Sequence, residues 1–153
     1  MHDAGYGLVA LPFNLINRTS IAFIHTYEWR SSTDGRFSIK IERGSQYKGV
    51  AVSGPIAAGE YTVDTIVVRT PPQSNLSSAT SREESKIEVP FVVEVHDGEI
   101  GLIPLVFEAE QTLKHESIYL NHNVVEFDDE LERFYSEKLK KKENISQWKI
   151  RLL

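Results

Sequence analysis

The 153 residues are 41% apolar and 25% charged, with a net charge of −5, which suits one domain able to build its own core. The acidic balance argues against a general nucleic-acid binder, which would present a basic face. The lack of cysteine excludes disulfides, cysteine-based zinc sites and thiol catalysis, and no apolar run reaches the roughly 18 residues of a membrane span, which favours a soluble body.

From Gly7 to Phe107 the chain reads as short strands separated by turn residues. Leu8, Val9, Ala10, Leu11, Phe13, Leu15 and Ile16 form an apolar first strand, where Pro12, having no N–H, implies an edge position or a bulge. Ile21 to Glu28 is a second strand rich in β-formers. After the Asp34-Gly35 turn, Phe37, Ile39 and Ile41 alternate with Ser38, Lys40 and Glu42, the period of a strand with one wet face. Val50 and Val52 belong to a fourth strand ended by Gly54-Pro55. Gly59 gives backbone freedom before Tyr61, Val63, Thr65 and Val67, which share a face.

Residues 70–86, with Pro71-Pro72 and many polar side chains, predict a long loop. Phe91, Val93 and Val95 then alternate up to Asp97-Gly98, the strongest hairpin signal in the chain. The return strand, Glu99 to Glu108, is apolar on both faces, which implies cover on both sides. Pro90 and Pro104 predict bulges or an unpaired edge. An eighth strand is expected around Ile118, Leu120, Val124 and Val125.

The pattern changes at Phe127. Asp128-Asp129-Glu130 can cap and charge a helix start, and Asp129 with Glu132 has capping-box spacing. Phe127, Leu131, Phe134, Tyr135 and Leu139 recur at helical intervals, Lys138 and Lys140–Lys142 lie at the far end, and Asn144 is a stop signal. Trp148, Ile150, Leu152 and Leu153 suggest a last short strand. The expected fold is a mainly β, antiparallel two-sheet sandwich of about seven or eight strands, with one C-terminal amphipathic helix laid across an outer face. Residues 1–126 would form the sandwich, and residues 127–153 the helix and tail packed on the same domain.

No constellation marks a catalyst. His96-Asp97-Gly98-Glu99 offers three ligand types, but side chains diverge in a tight turn, and His115 with Glu116, and His122, stand apart; zinc needs three or four converging ligands. Glu108 and Glu110 would share a strand face, and Glu83-Glu84 and Asp128–Glu130 are further acidic groups, all in settings that suggest solvation rather than acid–base work. No Gly-X-Ser-X-Gly elbow and no phosphate-cradling glycine loop is present. Tyr27, Trp29 and Tyr47 suggest either an exposed aromatic patch or cover for sheet edges. Lysines 138 to 142 suggest contact with anionic groups, or more simply the wet end of the helix. Asn17, Asn75 and Asn144 begin Asn-X-Ser/Thr triplets that chance explains.

Phe37–Ile41, Gly59-Glu60-Tyr61-Thr62-Val63 and Phe91–Gly101 resemble a module of bacterial envelope lipoproteins, the prealbumin-like or carboxypeptidase-regulatory-like β-sandwich. The acidic-capped helix and apolar tail from Val125 to Leu153 are similar to the tails of such lipoproteins. The resemblance implies turn and packing roles for the glycines and tyrosines and carries over no catalytic residue. Met1 to Gly5 lacks a signal sequence, and the lipid-bearing cysteine is absent, so a lipid anchor would belong to a segment missing from this chain.

The leading expectation is therefore a non-enzymatic, periplasmic or outer-membrane-anchored domain of the cell envelope. It would bind a protein or other envelope component through loops 29–35 and 71–86, with no nucleic-acid partner, no cofactor, no metal, no catalytic residue and no assignable ligand-binding residue. One alternative is a small hydrolase or carbohydrate-active enzyme with a carboxylate/His groove, for which His25 beside a carboxylate would speak. Another is a structural subunit that donates sheet edges to its neighbours.

Overall fold

The computed structural model describes residues 5–20, 23, 25–41, 48–70, 81–115, 117–142, 145 and 147–153. Along them run β1 (Tyr6–Asn17), β2 (Thr26–Arg30), β3 (Ser38–Ile41), β4 (Lys48–Val52), β5 (Ile56–Ala57), β6 (Gly59–Thr70), β7 (Ser81–Val95), β8 (Glu99–Leu102), β9 (Leu105–Lys114), β10 (Ser117–Glu126), α1 (Asp129–Lys140) and β11 (Lys149–Leu152). The fold is mainly β, in two sheets, with one helix near the C-terminus, as the alternation predicts. Ile21, Ala22 and Ile24 of the expected second strand, and Asn75 and Asn144, lie outside the described residues.

In the seven-stranded sheet β1 is central. Phe13 pairs with Gly49 of β4 and with Phe107 of β9, so those strands take opposite edges of β1. β8 and β9 are consecutive stretches of one strand direction, both parallel to β1. β10 pairs antiparallel with β9, and β11 pairs parallel with β8. The parallel pairings correct the all-antiparallel expectation, and the described residues hold eleven strands rather than seven or eight. β2, β3, β6 and β7 form the second sheet, in the order β3-β2-β6-β7, and every pair in it is antiparallel.

The prolines are accommodated by bulges. β1 advances from Ala10 to Phe13 while its partner advances from Leu102 to Phe107. The surplus residues on the partner include Ile103-Pro104, opposite the Pro12 stretch, where a missing N–H costs no ladder bond. Pro12 therefore sits in the central strand, not at an edge. Likewise β6 steps from Val63 to Thr65 while β7 steps from Phe91 back to Lys86, which leaves Pro90 in a bulge.

Asp97-Gly98 is a turn, but not a hairpin. Gly98 has φ +74°, and the chain passes there from β7 in one sheet to β8 in the other. The corner is tied to the start of β1: Gly98 N–H donates to Tyr6 C=O at 3.0 Å, and Gly5 N–H donates to the Asp97 carboxylate at 2.9 Å. Gly7 makes that approach possible, since a Cβ there would lie 2.3 Å from the His96 carbonyl oxygen.

The alternating faces of β1 serve two clusters. Val9, Leu11, Phe13 and Leu15 point between the sheets to Trp29, Phe37, Tyr61 and Phe107. Leu8 and Ala10 point the other way, to Ile100, Leu102, Val106, Tyr135 and Leu139 under the helix. This explains why the stretch from Glu99 is apolar on both faces. Asp128 caps α1, accepting from Leu131 N–H at 2.8 Å, which makes Asp128 rather than Asp129 the capping residue. Tyr135 O–H donates to the Phe13 carbonyl at 3.3 Å and fixes the helix on β1. Among the described residues no helix is long and apolar enough to cross a membrane.

Candidate binding cleft

The sandwich has two flanks where the edges of its sheets face one another. On one flank the edges are β7 and β10, and between them lies a cleft of about 690 Å³. Trp29, Phe91 and Phe107 form its aromatic wall, with ring centroids 5.9 Å apart for Trp29–Phe91 and 5.3 Å for Trp29–Phe107. Ile87, Ile103, Leu105 and Leu153 supply aliphatic surface. Trp29 is fully buried, yet its indole Nε1 has no hydrogen-bond partner among the described residues. A buried donor left unsatisfied costs about 1–3 kcal/mol.

Lys86, Glu88, His122 and Glu126 stand on the rim. Lys86 Nζ donates to Thr65 Oγ1 at 3.2 Å. His122 packs its ring edge-on to Tyr27 at 5.2 Å and lies 5.7 Å from Phe107, and this burial lowers its pKa against a smaller opposing pull from Glu83. His25, 6.4 Å from the same Tyr27 ring, is lowered first by burial and then by His122, while its hydrogen bond to the Arg69 backbone and the charge of Glu83 act the other way. Both imidazoles are thus biased to the neutral form. Among the described residues no hydrogen bond joins His122 to Glu88 or Glu126, and no group of three or more His, Asp or Glu is placed to hold a metal ion.

The opposite flank, between β3 and β4, holds a groove of about 650 Å³ of different character, with Arg36, Lys40 and Lys142 around Ser38, Ser53 and Phe13. Arg36 is already committed to Asp34, Nε to Oδ1 at 3.0 Å and Nη2 to Oδ2 at 2.7 Å. Those hydrogen bonds hold the Asp34 carboxyl down at about 2.

Several expected sites are redistributed. Tyr27 and Trp29 are core residues, 1% and 0% exposed, not a surface patch; Tyr47 lies outside the described residues. Trp29 and Arg30 belong to β2 and Ser81–Lys86 to β7, so neither expected binding loop has the expected extent, and residues 71–80 lie outside the described residues. His96 and Glu99 do not diverge: His96 Nδ1 is 3.2 Å from Glu99, its Nε2 is 3.3 Å from Glu94, and Arg151 closes on Glu99 at 2.7 Å. Glu108 and Glu110 have separate partners, Asn14 at 3.2 Å and Arg18 at 3.1 Å. Asn17 accepts from its own triplet's Thr19 N–H at 2.9 Å. Lys140 meets Glu137 at 3.6 Å, and Lys138 lies over the Phe134 ring.

No local pattern in the sequence marks the cleft, because its walls come from strands as far apart as β2 and β10. The alternation of Tyr27 and Trp29 with Thr26, Glu28 and Arg30 was the one signal that this segment turns an aromatic face inward.

No family model matches the chain, and no curated protein matches it. Among solved structures it is similar to the crystal structure of a putative cell adhesion protein from Bacteroides ovatus, at 11% sequence identity and a TM-score of 0.32, over 81% of this chain and 46% of that one. The chain thus spans about half the length of that structure. No prealbumin-like family is identified by these comparisons.

Proposed function

We propose that the chain is a non-enzymatic binding module of the cell envelope that holds its partner in the cleft between β7 and β10. The observation that carries this reading is the aromatic-walled cleft itself, whose wall includes Trp29, with an Nε1 that has no partner among the described residues. Apolar pockets with few, placed polar groups are the usual form of a ligand site. The module works through this cleft rather than through its loops. Envelope residence draws on the lipoprotein-like sequence motifs, and sandwich and helix are taken as one domain because Tyr135 and Leu139 share a buried cluster with β1 and β8.

The hydrolase reading would need the rim carboxylates and His122 to act together. They stand at the cleft mouth without mutual hydrogen bonds, which favours binding.

The test uses 1-anilinonaphthalene-8-sulfonate, a fluorescent apolar anion, on the folded protein. A saturable rise in emission is expected, weakened about tenfold or more by Val124→Glu, which adds a polar, like-charged group at an exposed rim position and leaves melting nearly unchanged. Absence of binding, or binding indifferent to that change, would contradict the reading. Hydrolysis of ester or glycoside substrates that disappears in His122→Ala would restore the enzymatic one.

A further inference from the structure

The hydrogen-bond phase of β10 can be read from its last residues. Glu126 is opposite Leu105, and Phe127 N–H donates to Pro104 C=O at 3.1 Å. Because bonded and non-bonded pairs alternate along an antiparallel ladder, the odd-numbered residues of β10 bond inward to β9. Residues 118, 120, 122, 124 and 126 then direct their N–H and C=O groups to the outer edge. Among the described residues no strand pairs with that edge.

β10 and β7 differ in how their edges are guarded. β7 is broken by a bulge at residues 87–90, holds Pro90, and carries Arg82, Glu83, Glu84, Lys86 and Glu88 as exposed side chains. β10 keeps an unbroken register over Ser117–Glu126 and has no proline and no lysine. Proline, lysine and bulges are the devices that blunt an edge. β10 lacks all three.

Leu120, His122, Val124 and Glu126 of β10 face between the sheets, as Leu120 against the inner cluster, His122 against Tyr27 and Phe107, and Val124 and Glu126 in the cleft lining show. A strand laid along β10 would therefore send alternate side chains into the cleft and the others to water. On the wet side it would lie beside the outer face of β10, whose cross-strand pairs Asn121–Glu110 and Asn123–Glu108 carry two carboxylates, in a chain of net charge −5.

We propose that the outer edge of β10 accepts an extended segment of a partner polypeptide, apolar at alternate positions and basic between them, by strand addition. Main-chain bonds to residues 118–126 would supply affinity, and the cleft would select the apolar side chains. This deepens the binding-module reading and depends on it.

The probe is an acetylated, amidated ten-residue peptide alternating valine with lysine and threonine, together with counterparts N-methylated either at the valines or at the residues between. Binding of the parent peptide is expected to displace 1-anilinonaphthalene-8-sulfonate and to slow hydrogen exchange at the His122 and Val124 amides. One of the two methylated peptides, the one whose blocked amides face β10, is expected to lose about tenfold or more in affinity, or 1.4 kcal/mol. Val124→Pro, which deletes an outward N–H but no bond to β9, should weaken binding more than Val124→Ala. Dye binding without peptide binding, or equal affinity of all three peptides, overturns strand addition and leaves the cleft reading standing. A mass that doubles with concentration and returns to one copy in Val124→Pro would assign the edge to a second copy of the chain and overturn the partner assignment.

Discussion

The two flanks of the sandwich have clefts of nearly equal volume, about 690 and 650 Å³, and opposite chemistry. Between β7 and β10 three aromatic rings, one of them an indole whose N–H has no partner among the described residues, lie behind a rim that includes two carboxylates. Between β3 and β4 the surface is polar and cationic, and one of its cations is already spent on Asp34. Equal volume therefore does not mean equal readiness to bind. On the apolar flank the Trp29 Nε1 is buried with no hydrogen-bond partner among the described residues, an unsatisfied donor of the kind that costs about 1–3 kcal/mol.

The comparison breaks first if the shared frame is not what holds both flanks apart. Gly7→Ala would press a Cβ on the His96 carbonyl and on Val95 Cγ1, with the nearer contact at 2.3 Å from backbone. A loss of about 2–3 kcal/mol is expected, measured by urea unfolding. Phe107→Ala, which removes a fully buried ring from the wall of the apolar cleft, is expected to cost more, about 3–5 kcal/mol. It should abolish dye binding in whatever fraction remains folded.

A third way to sharpen the contrast is pH. His25 and His122 have folded pKa values below 6.5, with burial as the first cause. The unfolded chain thus takes up protons first as pH falls. Stability is full above about 6.5 and declines through the interval down to the folded values. His122→Gln should flatten the decline below pH 6.5 in thermal melts. An unchanged slope would separate His122 from the buried ring cluster. Glu28 acts lower on the scale. Burial pushes its carboxyl up, but hydrogen bonds from Ser38 and Arg69 and the charges of Arg30 and Arg69 outweigh that and leave its pKa lowered. Its contribution is present above the ordinary carboxylate range and is lost as pH falls through the folded value, a loss that Glu28→Gln should remove. The smallest effect is expected on the cationic flank. Lys40→Glu, at an exposed position, should change stability by less than about 0.5 kcal/mol and leave dye binding on the other flank unchanged.

Much of this architecture is legible in the residues. The alternation of Phe37, Ile39 and Ile41, the shared face of Tyr61, Val63, Thr65 and Val67, and the acidic cap at Asp128 are local patterns, and local patterns survive folding. Asp97-Gly98 shows where such reading stops. Turn chemistry fixes a reversal, but whether the flanking strands pair in one sheet or cross to another depends on Gly7, ninety residues earlier, letting the corner settle on β1. Residues 82–86 carry no alternation and so resemble a loop, because both faces of this edge strand are wet. The cleft left no local trace either, since Trp29, Phe91 and Phe107 meet only in three dimensions.

The most direct measurement is the indole N–H resonance of Trp29 in a proton–nitrogen correlation spectrum during titration with 1-anilinonaphthalene-8-sulfonate or the valine-rich peptide. The chain has two tryptophans, and Trp148 packs under the helix, away from the cleft, so it serves as the internal control. The account predicts that the Trp29 signal moves saturably with the binding curve while the Trp148 signal stays. Movement of Trp148 alone, or binding that leaves Trp29 still, would contradict it.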